Sequence, residues 1–113
     1  MNDCLFCKMI KGEIPTKKVY EDDDMIIIND IAPKAPKHML LIVKTHYKYL
    51  IEQNAKEVDV LGRCLHKLAN MKCELGLDDG YRLVINQGDD AGQTVPHLHV
   101  HVLGGKKMDW NPA

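Results

Sequence analysis

The chain lacks an excess of charge of either sign. Fifteen Lys and Arg residues nearly balance sixteen Asp and Glu, for a formal charge of -1. A general nucleic-acid coat needs a basic surface, so that class is set aside. One nucleotide needs only local donors and stays open as a ligand. No apolar run approaches the ~20 residues of a membrane helix. The start, Met1-Asn2-Asp3-Cys4, lacks the basic region of a secretory leader. The expectation is a cytoplasmic protein without membrane or nucleic-acid partners. Repeats, low-complexity tracts and linkers are also missing, so residues 1–113 read as one domain. There is no Walker-type phosphate loop. Hydrophobic residues make up 45% of the chain, enough for an ordinary core. Cysteines are few, and in a reducing compartment they are reduced, metal-bound or buried.

What is present is a series of short strands around one long helix. Asp3 to Lys11 reads as a short helix stopped by Gly12. Lys18–Glu21, Met25–Asn29 and His38–Val43 read as strands, the second by its β-branched content. Glu21-Asp22-Asp23-Asp24 reads as a solvated turn, and Pro33 and Pro36 break the chain after the second strand. The spacing of Val58, Leu61, Leu65 and Leu68, continued by Met71 and Leu75, predicts a helix capped by Asn54 with Glu57 and ended by Gly76. Cys64 and Cys73, on opposite sides of that helix at ~100° per residue, cannot pair and read as buried thiols. Tyr81–Asn86 and His97–Leu103 complete the strands, with a glycine-containing loop, Gln87 to Pro96, between them. Short connections favour an antiparallel sheet with the main helix packed on it, an α+β fold.

Three histidines stand at alternate positions in His97-Leu98-His99-Val100-His101. In a strand they share one face, about 6.6 Å apart per two-residue step, while Leu98, Val100 and Val102 face the core. Like charges at that distance oppose joint protonation, so at least one ring stays neutral near pH 7. A neutral imidazole is a nucleophile or a metal ligand. Three readings follow: a half-buried polar face, a catalytic metal site, or nucleophilic attack on a phosphate. The loop Gly88-Asp89-Asp90-Ala91-Gly92-Gln93-Thr94 can turn backbone N–H groups toward an anion beside that face. Cys4-x-x-Cys7 has the spacing of half a zinc site, and equally that of two packed thiols on a short helix.

The stretch Gly92-Gln93-Thr94-Val95-Pro96-His97-Leu98-His99-Val100-His101-Val102-Leu103 resembles the histidine-triad signature, His-φ-His-φ-His-φ-φ with φ apolar. Asp30-Ile31-Ala32-Pro33-Lys34-Ala35-Pro36-Lys37-His38 is similar to the family's upstream segment. Val84-Ile85-Asn86-Gln87-Gly88 resembles its Val-Asn-x-Gly strand end, and Leu103-Gly104-Gly105 through Trp110 resembles the tail of the nucleoside-phosphoramidase branch. Nearly the whole chain is covered.

The resemblance implies a five-stranded antiparallel sheet with one long and one short N-terminal helix, and a homodimer joined through the main helix and a strand. Val58, Leu61 and Leu65 are candidates to serve both core and partner. It implies hydrolysis of purine nucleoside phosphoramidates or acyl nucleotides to the monophosphate through a nucleotidyl-histidine, with no organic cofactor. His99 matches the nucleophile, and His101 and His38 the histidines that assist it. Asp30 matches the ribose-holding acid, and Ile31 a residue beside the purine. Asn86, Gly92, Gln93 and Thr94 match phosphate and leaving-group contacts. A structural zinc on Cys4, Cys7, His46 and His97 is implied by members with a similar Cys-x-x-Cys. Dinucleoside polyphosphate hydrolysis, or a non-catalytic nucleotide sensor, are the alternatives.

Overall fold

The structure, a computed structural model, describes residues 4–110, and within the long helix it leaves out the side chains of residues 55–58. The expected start of the first helix at Asp3 and the capping and partner roles of Glu57 and Val58 lie outside the described residues. Helix α1 (Leu5–Lys11) begins at Cys4, whose sulfur accepts the Cys7 N–H at 3.4 Å. Gly12 stops it at φ +80°, a left-handed conformation that closes the last turn cheaply only without a side chain.

Strands β1 (Lys18–Glu21), β2 (Met25–Asn29), β3 (Lys37–Val43), β4 (Tyr81–Val84) and β5 (His99–Gly104) form one antiparallel sheet in the order β1-β2-β3-β5-β4. Helix α2 (Ala55–Asn70) covers one face. There Met25, Ile27, Met39, Leu41, Val43, Val100 and Val102 pack with Leu61, Cys64 and Leu68. On the other face Ile26, Ile28, Leu40 and Ile42 pack with Cys4 and Phe6. Met25-Ile26-Ile27-Ile28 therefore shows no polar alternation because both of its faces are covered.

The end of the long helix, one thiol and the start of the last strand differ from the sequence reading. Helix α2 ends at Asn70, and residues 71–76 run as hydrogen-bonded turns up to Gly76 at φ +75°. An asparagine amide competes for backbone groups and ends helices readily. The turns keep Met71 and Leu75 against the core, which is why the helical spacing seemed to continue. Cys64 is buried as expected, but Cys73 lies beyond the helix end, in the turns, and is exposed. Strand β5 starts at His99, not His97.

The acidic turn is also more than a solvated one. Asp22 accepts the N–H groups of Asp24 and Met25 at 2.8 and 3.0 Å, the Tyr20 hydroxyl at 2.9 Å and the Lys67 amine at 2.8 Å. It ties the β1–β2 turn to α2.

Candidate functional site

Pairing of β3 with β5 sets His38 opposite Leu103 and Leu40 opposite His101, so His38 and His101 are diagonal neighbours on the α1 side of the sheet. Their ring nitrogens approach to 3.0 Å, and the His101 and His99 ring centroids lie 5.2 Å apart. His97 precedes the strand but stays on the same side, since Phe6 of α1 meets both His97 and His99 edge-on, at 5.9 and 5.1 Å between centroids.

Backbone groups assign the tautomers, because an N–H can only donate and a carbonyl only accept. The His97 carbonyl accepts Nδ1–H of His99 at 2.7 Å, leaving the Nε2 lone pair of the neutral ring free. Lys34 N–H donates to His38 Nδ1 at 2.9 Å, so His38 carries its proton on Nε2. That proton faces His101 Nδ1 at 3.0 Å and Asp30 Oδ2 at 3.3 Å. His101 then accepts at Nδ1 and presents Nε2–H. Burial, with His99 and His38 close by, pushes the His101 ring below its ordinary basicity.

These groups end a cavity of about 340 Å³ lined by Leu5, Phe6, Met9, Ile28, Asn29, Asp30, Ile31, Leu40, Gly92, Thr94, Val95, His99 and His101. Asp30 and Ile31 follow β2, and Ile31 stands fully exposed at the rim. His38 is buried behind His101. Gly92 and Thr94 come from the loop, where Gly92 adopts φ +81°. Asn86 and Gln93 are not among the lining residues. Gln93 spends its amide on backbone groups, accepting from Gly88 N–H within the loop and donating to the Lys48 carbonyl outside it, both at 2.8 Å. Leu5, Phe6 and Met9 are the wall that motif reading missed. Their only signal was the apolar face of a short helix.

Among the described residues, two groups of side chains have the composition of a metal site: Cys4, Cys7, His46 and His97, and Asp30, His38 and His101, each with donor atoms within 4.8 Å of one another. Tautomers separate them. His97 donates Nε2–H to the Val43 carbonyl at 2.6 Å, which leaves its Nδ1 lone pair facing the cluster. His46 Nδ1 lies 3.1 Å from it, and the sulfurs of Cys4 and Cys7 at 3.3 and 3.5 Å. A tetrahedral zinc at its usual bond lengths separates N from N by about 3.3 Å and S from N by about 3.6 Å. The Cys₂His₂ set therefore fits a closed zinc site. Burial, then Cys4, pushes the Cys7 thiol up to about 11, so a thiolate there calls for a cation. In the other group, the Lys34 N–H keeps the proton of neutral His38 on the nitrogen that a metal would need, so hydrogen bonding is the better account.

A single antiparallel sheet with an imidazole chain at one end of an apolar cavity defines an α+β protein with a histidine-based site. The HIT domain family profile matches residues 11–108. The chain is 42% identical over 113 residues to a 14 kDa zinc-binding protein of Brassica juncea, covering 98% of this chain and 100% of the relative. A HIT family hydrolase from Legionella pneumophila superposes with TM-score 0.92 at 40% identity, covering 98% and 100% of the two chains. A histidine triad nucleotide-binding protein from Candida albicans gives TM-score 0.80 at 32% identity, covering 96% and 83%. The chain belongs to the HIT, or histidine-triad, family.

Proposed function

We propose that the protein hydrolyses purine nucleoside phosphoramidates or acyl nucleotides to the nucleoside monophosphate, through a nucleotidyl intermediate on His99. The observation that carries this is the bond from His99 Nδ1–H to the His97 carbonyl, which leaves Nε2 as the attacking atom at the cavity. Nε2 attacks phosphorus, the bond to the leaving group breaks, and the departing nitrogen or oxygen takes a proton from solvent. Water then attacks phosphorus and gives up a proton to solvent, the phosphorus–Nε2 bond breaks with its electron pair returning to His99, and the monophosphate leaves. His101 Nε2–H and the amide and hydroxyl of Thr94 are the donors for the developing oxyanion charge. His38 positions His101 through Nε2–H. Asp30 Oδ1 accepts Ala32 N–H at 2.8 Å, and its carboxylate is proposed as the ribose acceptor. Ile31, Leu5, Phe6 and Met9 flank the base. The solved relatives described as a hydrolase and as nucleotide-binding support this reading.

Cys4, Cys7, His46 and His97 are proposed to hold a zinc ion, which when bound adds cross-linking between the N-terminal segment and the sheet. The zinc-binding relative supports this assignment. Free thiols fit the proposed cytoplasmic location.

A fluorogenic adenosine phosphoramidate, assayed beside a diadenosine polyphosphate, tests the activity. Faster release of AMP from the phosphoramidate is expected. Preference for the polyphosphate would move the substrate class, and binding without turnover would make the protein a sensor. Metal analysis of untagged protein should find near-stoichiometric zinc, lost in Cys4→Ser/Cys7→Ser.

A further inference from the structure

We infer that metal binding at Cys4, Cys7, His46 and His97 and nucleotide binding in the cavity are reciprocally coupled, through α1 and through the His97 carbonyl. The inference rests on the metal and nucleotide readings above and adds a link between them.

The two sites share their parts. Cys4 and Cys7 bracket Leu5 and Phe6 on the first turn of α1, with Met9 one turn further along. Leu5, Phe6 and Met9 are cavity wall. Helices below about 12–15 residues are marginal by themselves, so this seven-residue one takes its position from what holds its ends. Its N-terminal end is held by the two thiols and by Phe6. Phe6 is 4% exposed and wedged edge-on against a metal-site ring, His97, and the nucleophile ring, His99.

The second link runs along the chain. The ring of His97 belongs to the cluster, while its carbonyl accepts Nδ1–H of His99. Leu98 N–H donates to the carbonyl of Tyr47, the residue after His46, so a backbone hydrogen bond ties the two histidine-bearing segments together. A cation drawing the four donors together fixes the cavity wall and the nucleophile's anchor at once. A nucleotide packed against Leu5, Phe6 and Met9 holds α1 where the thiols meet the imidazoles. By linkage, the factor by which zinc tightens the nucleotide equals the factor by which the nucleotide tightens zinc.

The experiment uses the full chain, zinc ion and AMP. Calorimetry measures AMP affinity for zinc-loaded and chelator-stripped protein. Competition with a chromophoric chelator measures zinc affinity with and without saturating AMP. The expected factor is about tenfold or more, and the same in both directions, within the range of known couplings. Imidazole nitrogen spectra of His99 should show the Nδ1–H signal sharpen on zinc addition. Phe6→Leu retains all four ligands and should still bind both zinc and AMP, each more weakly, while the factor by which one tightens the other falls most of the way to one. Ile31→Ala lies outside α1 and should weaken AMP equally in both forms. Equal AMP affinities with and without zinc would overturn the coupling while leaving the proposed hydrolase intact. A full coupling factor in Phe6→Leu, or its loss in Ile31→Ala, would overturn the assignment to α1. Zinc-loaded wild type that neither binds AMP nor turns over the phosphoramidate would instead overturn the proposed function.

Discussion

An imidazole presents a defined attacking atom only when its other nitrogen is tied down, and at His99 a carbonyl two residues back does this. His99→Ala should lower phosphoramidase turnover on the order of 10³-fold or more while AMP binding by calorimetry largely survives. A variant keeping a tenth of wild-type turnover would remove His99 from the nucleophile's role. Asp30→Ala should weaken nucleoside recognition, and a 2′-deoxy substrate should lose less in the variant than in wild type. Equal losses in both kinetic comparisons would show that the carboxylate and that hydroxyl do not meet. The sequence singled out His38, His99, His101 and Asp30, and the fold brings them together, as it does Cys4, Cys7, His46 and His97. The tautomers were not legible there, because Lys34 N–H and the Val43 and His97 carbonyls are placed by the backbone path. Gln93 shows a second limit. A motif gives the residue, but only the turned loop shows its amide bonded to Gly88 and Lys48.

Among the elements, the tie from the β1–β2 turn to α2 carries a measurable charge effect. Burial opposes the Asp22 carboxylate, but the Lys67 amine, the N–H groups of Asp24 and Met25 and the Tyr20 hydroxyl outweigh it and hold its carboxyl at about 2 against an ordinary 3.8. A depressed carboxyl stabilises the fold above about pH 4, and that contribution drains away as pH falls toward 2. Asp22→Asn should therefore cost about 1–2 kcal/mol at pH 7, discounted for the solvent around Lys67. Denaturant titrations should show the gap to wild type closing near pH 2. A gap of constant size would assign the effect to hydrogen bonding alone. The strands were legible from β-branched runs and turn residues to within two residues. The end of α2 was not, because the turns at 71–76 keep Met71 and Leu75 on the same apolar stripe as a continuing helix would. Nor was the start of β5, which depends on Leu98 bonding to Tyr47 instead of to a strand neighbour.

At the scale of the whole molecule, a homodimer is proposed through the flank of α2 and the edge strand β4. Leu61 is 9% exposed and committed to the chain's own core, so it does not serve a partner as the sequence suggested. Leu65 is only partly buried, and Leu83 on β4 is 39% exposed; both are available to a partner. Light scattering at micromolar concentration should give twice the chain mass of 12.8 kDa, and a monomer there would refute the assignment. The strand order carries one more consequence. β5 is last in the chain yet sits between β3 and β4. As the chain leaves the ribosome, β1, β2 and β3 can pair in succession, while β4 finds no strand beside it until β5 arrives to separate it from β3. Folding therefore closes with the segment bearing His99 and His101, across a sequence separation of some sixty residues from β3, the kind of distant pairing that slows folding. A nascent chain acquires its proposed nucleophile, His99, in the same event that completes its sheet.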